Sequence, residues 1–409
     1  MGSTFTWLDH SEHDRRRVLE AVDRFKETNT RDELGLGGIR DTFADLLFPG
    51  TSTIQTRARY FLFVPWMYRQ LHEKRVGSDK VSARARKEEI QLRDALLETE
   101  DTAGVLGKVA GAALKRLPSN VYWQGLGAWK IRLYPGSQPE YHRYFERLHD
   151  RERGGRDKEE EEELRAEGWA SPWHLHLPPA PASFPDGAGF ELNADEARYL
   201  AERICFSSPR SLLAFLVRRG KSVEADYPWT HPQLAEFPSH IRDILHHGQL
   251  LAESMHGAAL LYNLMLAEEL PSGPKRDELT EWFRGSLAAW CTELEPRHAA
   301  LSGWDRSGFW TLAQQRTRVS GATHDFVERW VAREPWASSA RATDDPVLRN
   351  QVRDRERQLK GPRARLGNPR ALELWNGASG VDRLAYRWPS ASRILADIHA
   401  GLGGHDARA

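Results

Sequence analysis

The sequence predicts a mainly α-helical protein of two helical domains or lobes, with little β structure. Three observations carry this. Apolar residues recur at helical spacing along most of the chain. Sustained alternation of β-branched residues, the mark of strands, is absent. Ser, Asp or Asn stands ahead of several apolar-periodic segments, where a helix N-cap belongs. A chain of 409 residues exceeds one ordinary core, so two domains are the default.

The elements follow in order. Ser11 and Asp14 form a capping-box pair that opens a helix over Glu12–Glu27, with Val18, Leu19, Val22 and Phe25 as its apolar stripe. A glycine-rich turn, Gly35 to Gly38, leads into Ile39–Phe48, and Pro49-Gly50 ends it. Ser52, with Gln55 three residues on, predicts a helix over Ser52–Lys74. Ile54, Ala58, Phe61 and Leu62 line one side of it and Tyr60, Phe63, Val64 and Met67 the other, so it is expected to be buried. Arg57 and Arg59 sit in its first half, where an unpaired charge is costly, and they require carboxylate or phosphate partners. Pro65 is expected to kink it. Ser82–Leu97 is charged and amphipathic. Pro118-Ser119 opens NVYWQGLGAWKIRLYPG, which fits either a helix or a hairpin because of Gly125 and Gly127. Asn193 caps a second helical set over Ala194–Cys205, Pro209–Val217, Ile241–Glu269, Lys275–Cys291, Thr323–Ala332 and Pro346–Lys360.

Between the two sets lies a charged run, RERGGRDKEEEEELRAE, and then a proline-rich stretch, HLPPAPASFPDGAG. This composition predicts a domain boundary. The expected division is an N-terminal helical domain over 1–150, a charged and Pro-rich linker or insertion over 151–190, a C-terminal helical domain over 191–402, and a flexible tail over 403–409.

Composition narrows the function classes. Lys plus Arg and Asp plus Glu are each 58, which excludes a globally basic nucleic-acid binder and leaves a local basic patch open. Two cysteines, Cys205 and Cys291, cannot build a disulfide framework or a Cys-based zinc site. The N-terminus lacks the apolar region of a signal peptide. No apolar run approaches the roughly 20 residues of a membrane helix. A cytoplasmic protein without membrane contact is expected. Fifteen tryptophans offer large anchors for a core or an interface.

The strongest local bias is Leu348–Arg370. Arg349, Arg353, Arg357 and Lys360 recur at intervals of 4, 4 and 3 residues and share one stripe of a helix, and Arg363, Arg365 and Arg370 extend it past Gly361-Pro362. Such a face can neutralise phosphates along a strand. The competing structural reading is that these cations pair with Asp354, Glu356 and carboxylates of neighbouring helices. Trp375, Tyr386 and Trp388 follow, as base-stacking platforms or as core. Two Glu-x-x-His pairs, Glu253/His256 and Glu295/His298, have the form used in di-iron bundles, but Pro296 interrupts the second and no bridging glutamates can be assigned. His174 and His176 alternate beside prolines, as on a surface strand. The phosphate-binding Gly-Lys-Ser/Thr loop, the dinucleotide fingerprint and the Gly-x-Ser-x-Gly elbow are all missing. No metal or cofactor is expected, and no catalytic set can be assigned from the sequence.

Several strings occur together: FTWLDHSE, RDELGLGGIRDTFADLLFPGTSTIQTRARYFLFVPWMY, PSNVYWQGLGAWKIR, RERQLKGPRARLGN and a late YRWP. In these the chain resembles an uncharacterised bacterial domain-of-unknown-function family. The resemblance implies a setting beside helicase- and nuclease-type genes of antiphage defence clusters, and it carries over no catalytic residue. The expectation is a non-enzymatic accessory subunit of a nucleic-acid-processing or antiphage system. It would contact DNA or RNA, or an acidic surface of a helicase or nuclease partner protein, through Arg349, Arg353, Arg357, Lys360, Arg363 and Arg365. The alternatives are an interaction scaffold without nucleic-acid binding and an enzyme with an unrecognised site near Arg57 and Arg59.

Overall fold

The structure is a computed structural model that describes residues 32–108, 116–150, 171–220 and 224–403. The expected helix Glu12–Glu27, the charged run 151–167 and the tail from 404 lie outside the described residues. The helices are α1 Gly37–Leu47, α2 Tyr60–Glu73, α3 Val81–Leu97, α4 Pro118–Ala128, α5 Gln138–Arg143, α6 Phe145–Asp150, α7 Ala194–Ser207, α8 Leu212–Arg219 and α9 Ser239–Glu268. They continue as α10 Pro274–Leu294, α11 His298–Ser302, α12 Arg306–Ala313, α13 Gly321–Ala332, α14 Ser339–Asp344, α15 Pro346–Lys360, α16 Pro369–Leu372 and α17 Trp388–Gly403. Among the described residues no strand forms, and one isolated antiparallel bridge joins Arg132 to Trp173. The mainly helical class expected from periodicity is therefore what the chain adopts.

Two compact units result, and neither is a continuous stretch. One comprises Met1–Phe43 and Ile244–Leu384, the other Ala44–Asp243 and Ala385–Ala409. The described part of the expected linker, 171–190, lies in the second of these units. It is packed there: Trp173 and Phe190 are buried, the Trp66 indole N–H donates to Pro178 O at 2.7 Å, and Gln70 donates to Phe184 O at 2.9 Å. Proline-rich composition signals a lack of regular structure, not a lack of packing.

In the second unit, α2 is the central element. Every residue from Tyr60 to Tyr68 is buried, with Phe61 stacked on Trp129 at 3.9 Å and Tyr68 stacked on Trp173 at 5.8 Å. The helix begins at Tyr60 instead of Ser52. Ser52 and Gln55 do bond, from the Ser52 N–H to Gln55 Oε1 at 3.1 Å, but they close a turn. The backbone donors that would start a helix are drawn to tertiary partners. Thr56 and Arg57 N–H both donate to the Tyr122 hydroxyl, at 2.9 and 3.1 Å, and Ala58 N–H donates to Asp397 Oδ2 at 2.8 Å. The segment PSNVYWQGLGA forms helix α4. A Cβ on residue 125 would strike the carbonyl of Gly50, so that glycine marks a close approach of two backbones. Asn193 caps α7 as its sequence indicates, accepting from Glu196 N–H at 2.9 Å, with Glu196 returning the bond.

In the first unit the spine is α9. From Leu250 to Ala267 it is buried on nearly all sides, as a helix apolar all round should be. Two indoles hang on its backbone: Trp290 donates to Glu253 O at 2.8 Å and Trp330 to Ser254 O at 2.9 Å. Trp375 belongs to this core too, donating to Asn263 Oδ1 at 3.2 Å. In the second unit Trp388 donates to Ala225 O at 2.6 Å, and Tyr386 is buried. None of these three rings is open to a base.

Candidate nucleic-acid interface

The basic segment forms the helix its spacing indicates. Asp345 caps α15, with Pro346 at its first position and Gly361 just past its end. The stripe then divides. Lys360 pairs with Glu33 and with Glu356 at 2.9 Å, and Arg365 pairs with Glu33 at 3.1 Å. The Tyr262 hydroxyl donates to Glu356 at 2.5 Å, and the backbone N–H groups of Arg365 and Leu366 add two more bonds. Burial alone would raise the Glu356 pKa, but these bonds outweigh it and hold the carboxyl below its ordinary value. Two carboxylates face two cations, so the cluster is electrically closed. Arg349 is likewise engaged, with Glu268 and the carbonyl of Thr343.

What remains at the surface is Arg353, Arg357 and Arg363, with Arg370 beyond. Arg353 donates to Asn350, and Arg357 stands 3.7 Å from Asp354. Side chains so placed contribute little to the fold. Arg353→Glu with Arg357→Glu is expected to shift stability by no more than about 0.5 kcal/mol in urea denaturation. A loss above about 2 kcal/mol would mean both arginines are structural. Arg355 stands apart from the stripe altogether. It is buried, and it donates to Leu34 O at 2.9 Å and Thr323 Oγ1 at 2.7 Å.

Arg57 and Arg59 precede α2. Arg57 lies 3.0 Å from Asp397 and also pairs with Asp101, and its side chain is 12% exposed. Burial pulls its pKa down, yet the bonds to Asp397 and Asp101 leave it above the ordinary value. Arg59 meets Glu196 at 2.8 Å and donates to Gly189 O at 2.9 Å. Both guanidiniums are occupied by carboxylates. Glu253, of the first Glu-x-x-His pair, accepts from Gln249 and Arg297, and no group of three or more His, Cys, Asp or Glu able to hold a metal occurs among the described residues.

A different set of cations gathers where no carboxylate lines the wall. In the second unit a cleft of about 850 Å³ opens between the end of α4, the turn that follows, His174 and α7. The end of α4 is tied by Trp129 N–H to Gly125 O at 2.9 Å and Lys130 N–H to Gly127 O at 3.1 Å. Lys130 takes a left-handed conformation, φ 58°, and stands exposed at the cleft. The chain then pairs briefly with 172–174: Leu133 N–H donates to Pro172 O and His174 N–H to Ile131 O, both at 2.8 Å. This short ladder brings Arg132 and His174 to one cleft. From α7, Arg203 and Phe206 arrive three residues apart on one helix face.

Arg132 is buried and lies 4.6 Å from the Trp123 ring, as a cation over a π face. It donates through Nε to Trp123 O at 3.2 Å and through Nη1 to the carbonyls of Tyr134 and Gly136. Its Nη2 points toward Gly127, where a Cβ would come within 2.5 Å of it, so the glycine leaves room for the guanidinium. Burial pushes its pKa down to about 10. Arg203 donates to Trp129 O at 3.2 Å and lies 2.9 Å from His174 Nε2. An arginine cannot accept, so His174 Nε2 accepts and the ring is neutral, its Nδ1 3.3 Å from the Tyr199 hydroxyl. Burial, then Arg203, His176 and Arg69, lower the His174 pKa and keep it so. Phe206 is 72% exposed, with the Arg203 guanidinium 4.8 Å over its ring. Among the described residues the cleft lining contains no Asp or Glu.

The sequence pointed elsewhere because these residues come from three separated segments. The one local hint is the alternation of cations and rings in YWQGLGAWKIRLY. His174 and His176 do not lie on a strand: the bridge ends at Trp173 and a turn follows.

Residues 2–401 match the family described as Family of unknown function (DUF6361), and the chain belongs to that family. No curated protein and no solved structure matches the chain.

Proposed function

We propose that the protein is a nucleic-acid-binding accessory subunit without catalysis of its own, and that the cleft beside α4 and α7 is its principal contact with the phosphate backbone. One observation carries this. Lys130, Arg132 and Arg203 gather in a cleft whose described lining has no carboxylate, whereas Arg57, Arg59, Lys360 and Arg365 all have one. Clustered cations that repel one another are stabilised by an anion between them. The exposed Arg357 and Arg363 of the first unit, with the half-buried Arg353, supply further positive charge. The family resemblance implies a setting beside helicase- and nuclease-type genes, and on that ground we place the protein in a nucleic-acid-processing or antiphage system with such an enzyme as partner.

The test is fluorescence anisotropy with a labelled single-stranded oligonucleotide in about 50 mM salt. Lys130→Glu with Arg203→Glu is expected to weaken binding at least tenfold. The slope of log affinity on log salt should become shallower by roughly 0.7 for each phosphate no longer neutralised. Arg353→Glu with Arg357→Glu serves as the comparison. If that variant loses binding and the cleft variant does not, the basic helix is the interface. Wild-type protein that binds neither DNA nor RNA at this salt overturns the proposal.

A further inference from the structure

The chemistry of the cleft goes beyond general attraction for phosphate. Its volume, about 850 Å³, is in the range that encloses a small organic ligand and is far too small to seat a duplex. Its lining brings three cations and an exposed ring to one cleft. Arg132 uses Nε and Nη1 on backbone carbonyls, which fixes the guanidinium, and leaves Nη2 beside Gly127 at the cleft. Lys130 provides a mobile ammonium at the same edge. Phe206 is the unexplained group. A phenyl ring 72% exposed, on an otherwise well-packed helix, contributes nothing to the core. Arg203 covers one face of it at 4.8 Å as a cation over a π system, which leaves the other face of the ring for a base to stack on. Gln124 lines the cleft from an exposed position, and its amide can donate to and accept from a base edge.

We infer that the cleft receives a single unpaired nucleotide, its phosphate held by Lys130 and Arg132 and its base stacked on the face of Phe206 that Arg203 leaves open. The inference rests on the nucleic-acid reading above and narrows it to single-stranded substrate. A base in a duplex is already stacked and paired and cannot reach Phe206 without unpairing. Stacking tolerates every base, so little sequence preference is expected, with Gln124 modulating it.

The experiment uses the full chain and three probes: a labelled single strand of about 12 nucleotides, the blunt duplex of the same sequence, and a nucleoside monophosphate as competitor. The single strand is expected to bind at least tenfold tighter than the duplex. Phe206→Ala, which removes an exposed ring and leaves the core intact, should weaken single-strand binding about tenfold without changing its salt slope. Phe206→Trp should restore it. Competition by the monophosphate at millimolar concentration identifies the nucleotide itself as the ligand. Its failure, with Phe206 still required, identifies a unit held within a strand. Equal binding of single strand and duplex, or a Phe206→Ala variant indistinguishable from wild type, overturns the inference while leaving phosphate binding by the cleft standing. No binding of any probe sinks both.

Discussion

Replacing Asp397 with Ala is expected to lower the melting temperature by about 10 °C. Asp397 accepts from Arg57 Nε and from the Ala58 N–H, and its side chain is 9% exposed. Removing it strips Arg57 Nε and the Ala58 N–H of their acceptor and leaves Arg57 only the exposed Asp101, and breaking a buried pair costs about 3–5 kcal/mol. For a folding unit of 150–250 residues each kcal/mol shifts the midpoint by roughly 2–4 °C. Arg57→Ala should destabilise comparably. The double variant should cost clearly less than the sum of the two, because no orphan charge remains. Strict additivity, or a shift of under about 2 °C in either single variant, would show that the pair does not hold α2 in place.

The second large effect concerns Glu89. Its side chain is buried on α3 and accepts from Ser119 N–H at 2.6 Å and Ser119 Oγ at 3.0 Å. Burial pushes its pKa up to about 7, with the Ser119 bonds and Arg86 offsetting part of that. Between pH of about 4.5 and 7 the folded protein therefore holds a proton that the unfolded chain has released. The stabilisation from the protonated carboxyl is complete below about 4.5 and is lost as pH rises through 7. At 1.36 kcal/mol per pH unit the loss is about 3 kcal/mol. Glu89→Gln keeps the size and a hydrogen-bonding amide but has no proton to lose. Urea midpoints should show the variant more stable than wild type at pH 8, with the gap closing toward pH 5. A gap that is constant with pH would rule out Glu89 as the titrating group.

Glu89 does not act alone. Gln138 donates to Ser119 Oγ at 2.7 Å and to the Tyr68 hydroxyl at 2.8 Å, and Tyr68 meets His142 Nε2 at 2.7 Å. His142 is pushed down to about 4 by burial. Its contribution has the opposite sign: it is present above about 6.5 and lost as pH falls toward 4. The two ends of this buried chain therefore oppose each other across the same pH window, and wild-type stability should vary less with pH than that of either single variant.

Local chemistry carried much of the fold. Pro346–Lys360 was legible because its cap, its first-position proline and its terminal glycine all lie within the segment, and the Asn193 cap was legible for the same reason. The start of α2 was not. Ser52 and Gln55 spell a capping box, but Tyr122 and Asp397, remote in sequence, take the backbone donors first. Glycines 125 and 127 made α4 ambiguous because their purpose is contact with Gly50 and Arg132, which spacing does not reveal. The basic stripe shows the same limit. Periodicity placed Arg349, Arg353, Arg357 and Lys360 on one face, but it could not show that Glu33, more than three hundred residues before Arg365, closes part of that face. The cleft was least legible, since Arg132, His174 and Arg203 meet through a two-residue ladder and a helix face.

The discontinuous second unit imposes an order on biosynthesis. Arg57 leaves the ribosome early, with the rest of Ala44–Asp243, but Asp397 arrives only after the whole of Ile244–Leu384 has been made. Domains that fold as they are translated close when their last segment appears. Here that segment is α17, the last helix described. The nascent chain must hold α2, buried from Tyr60 to Tyr68, without Asp397 through that interval. A ribosome stalled before residue 385 should display this unit open, sensitive to protease and in need of a chaperone.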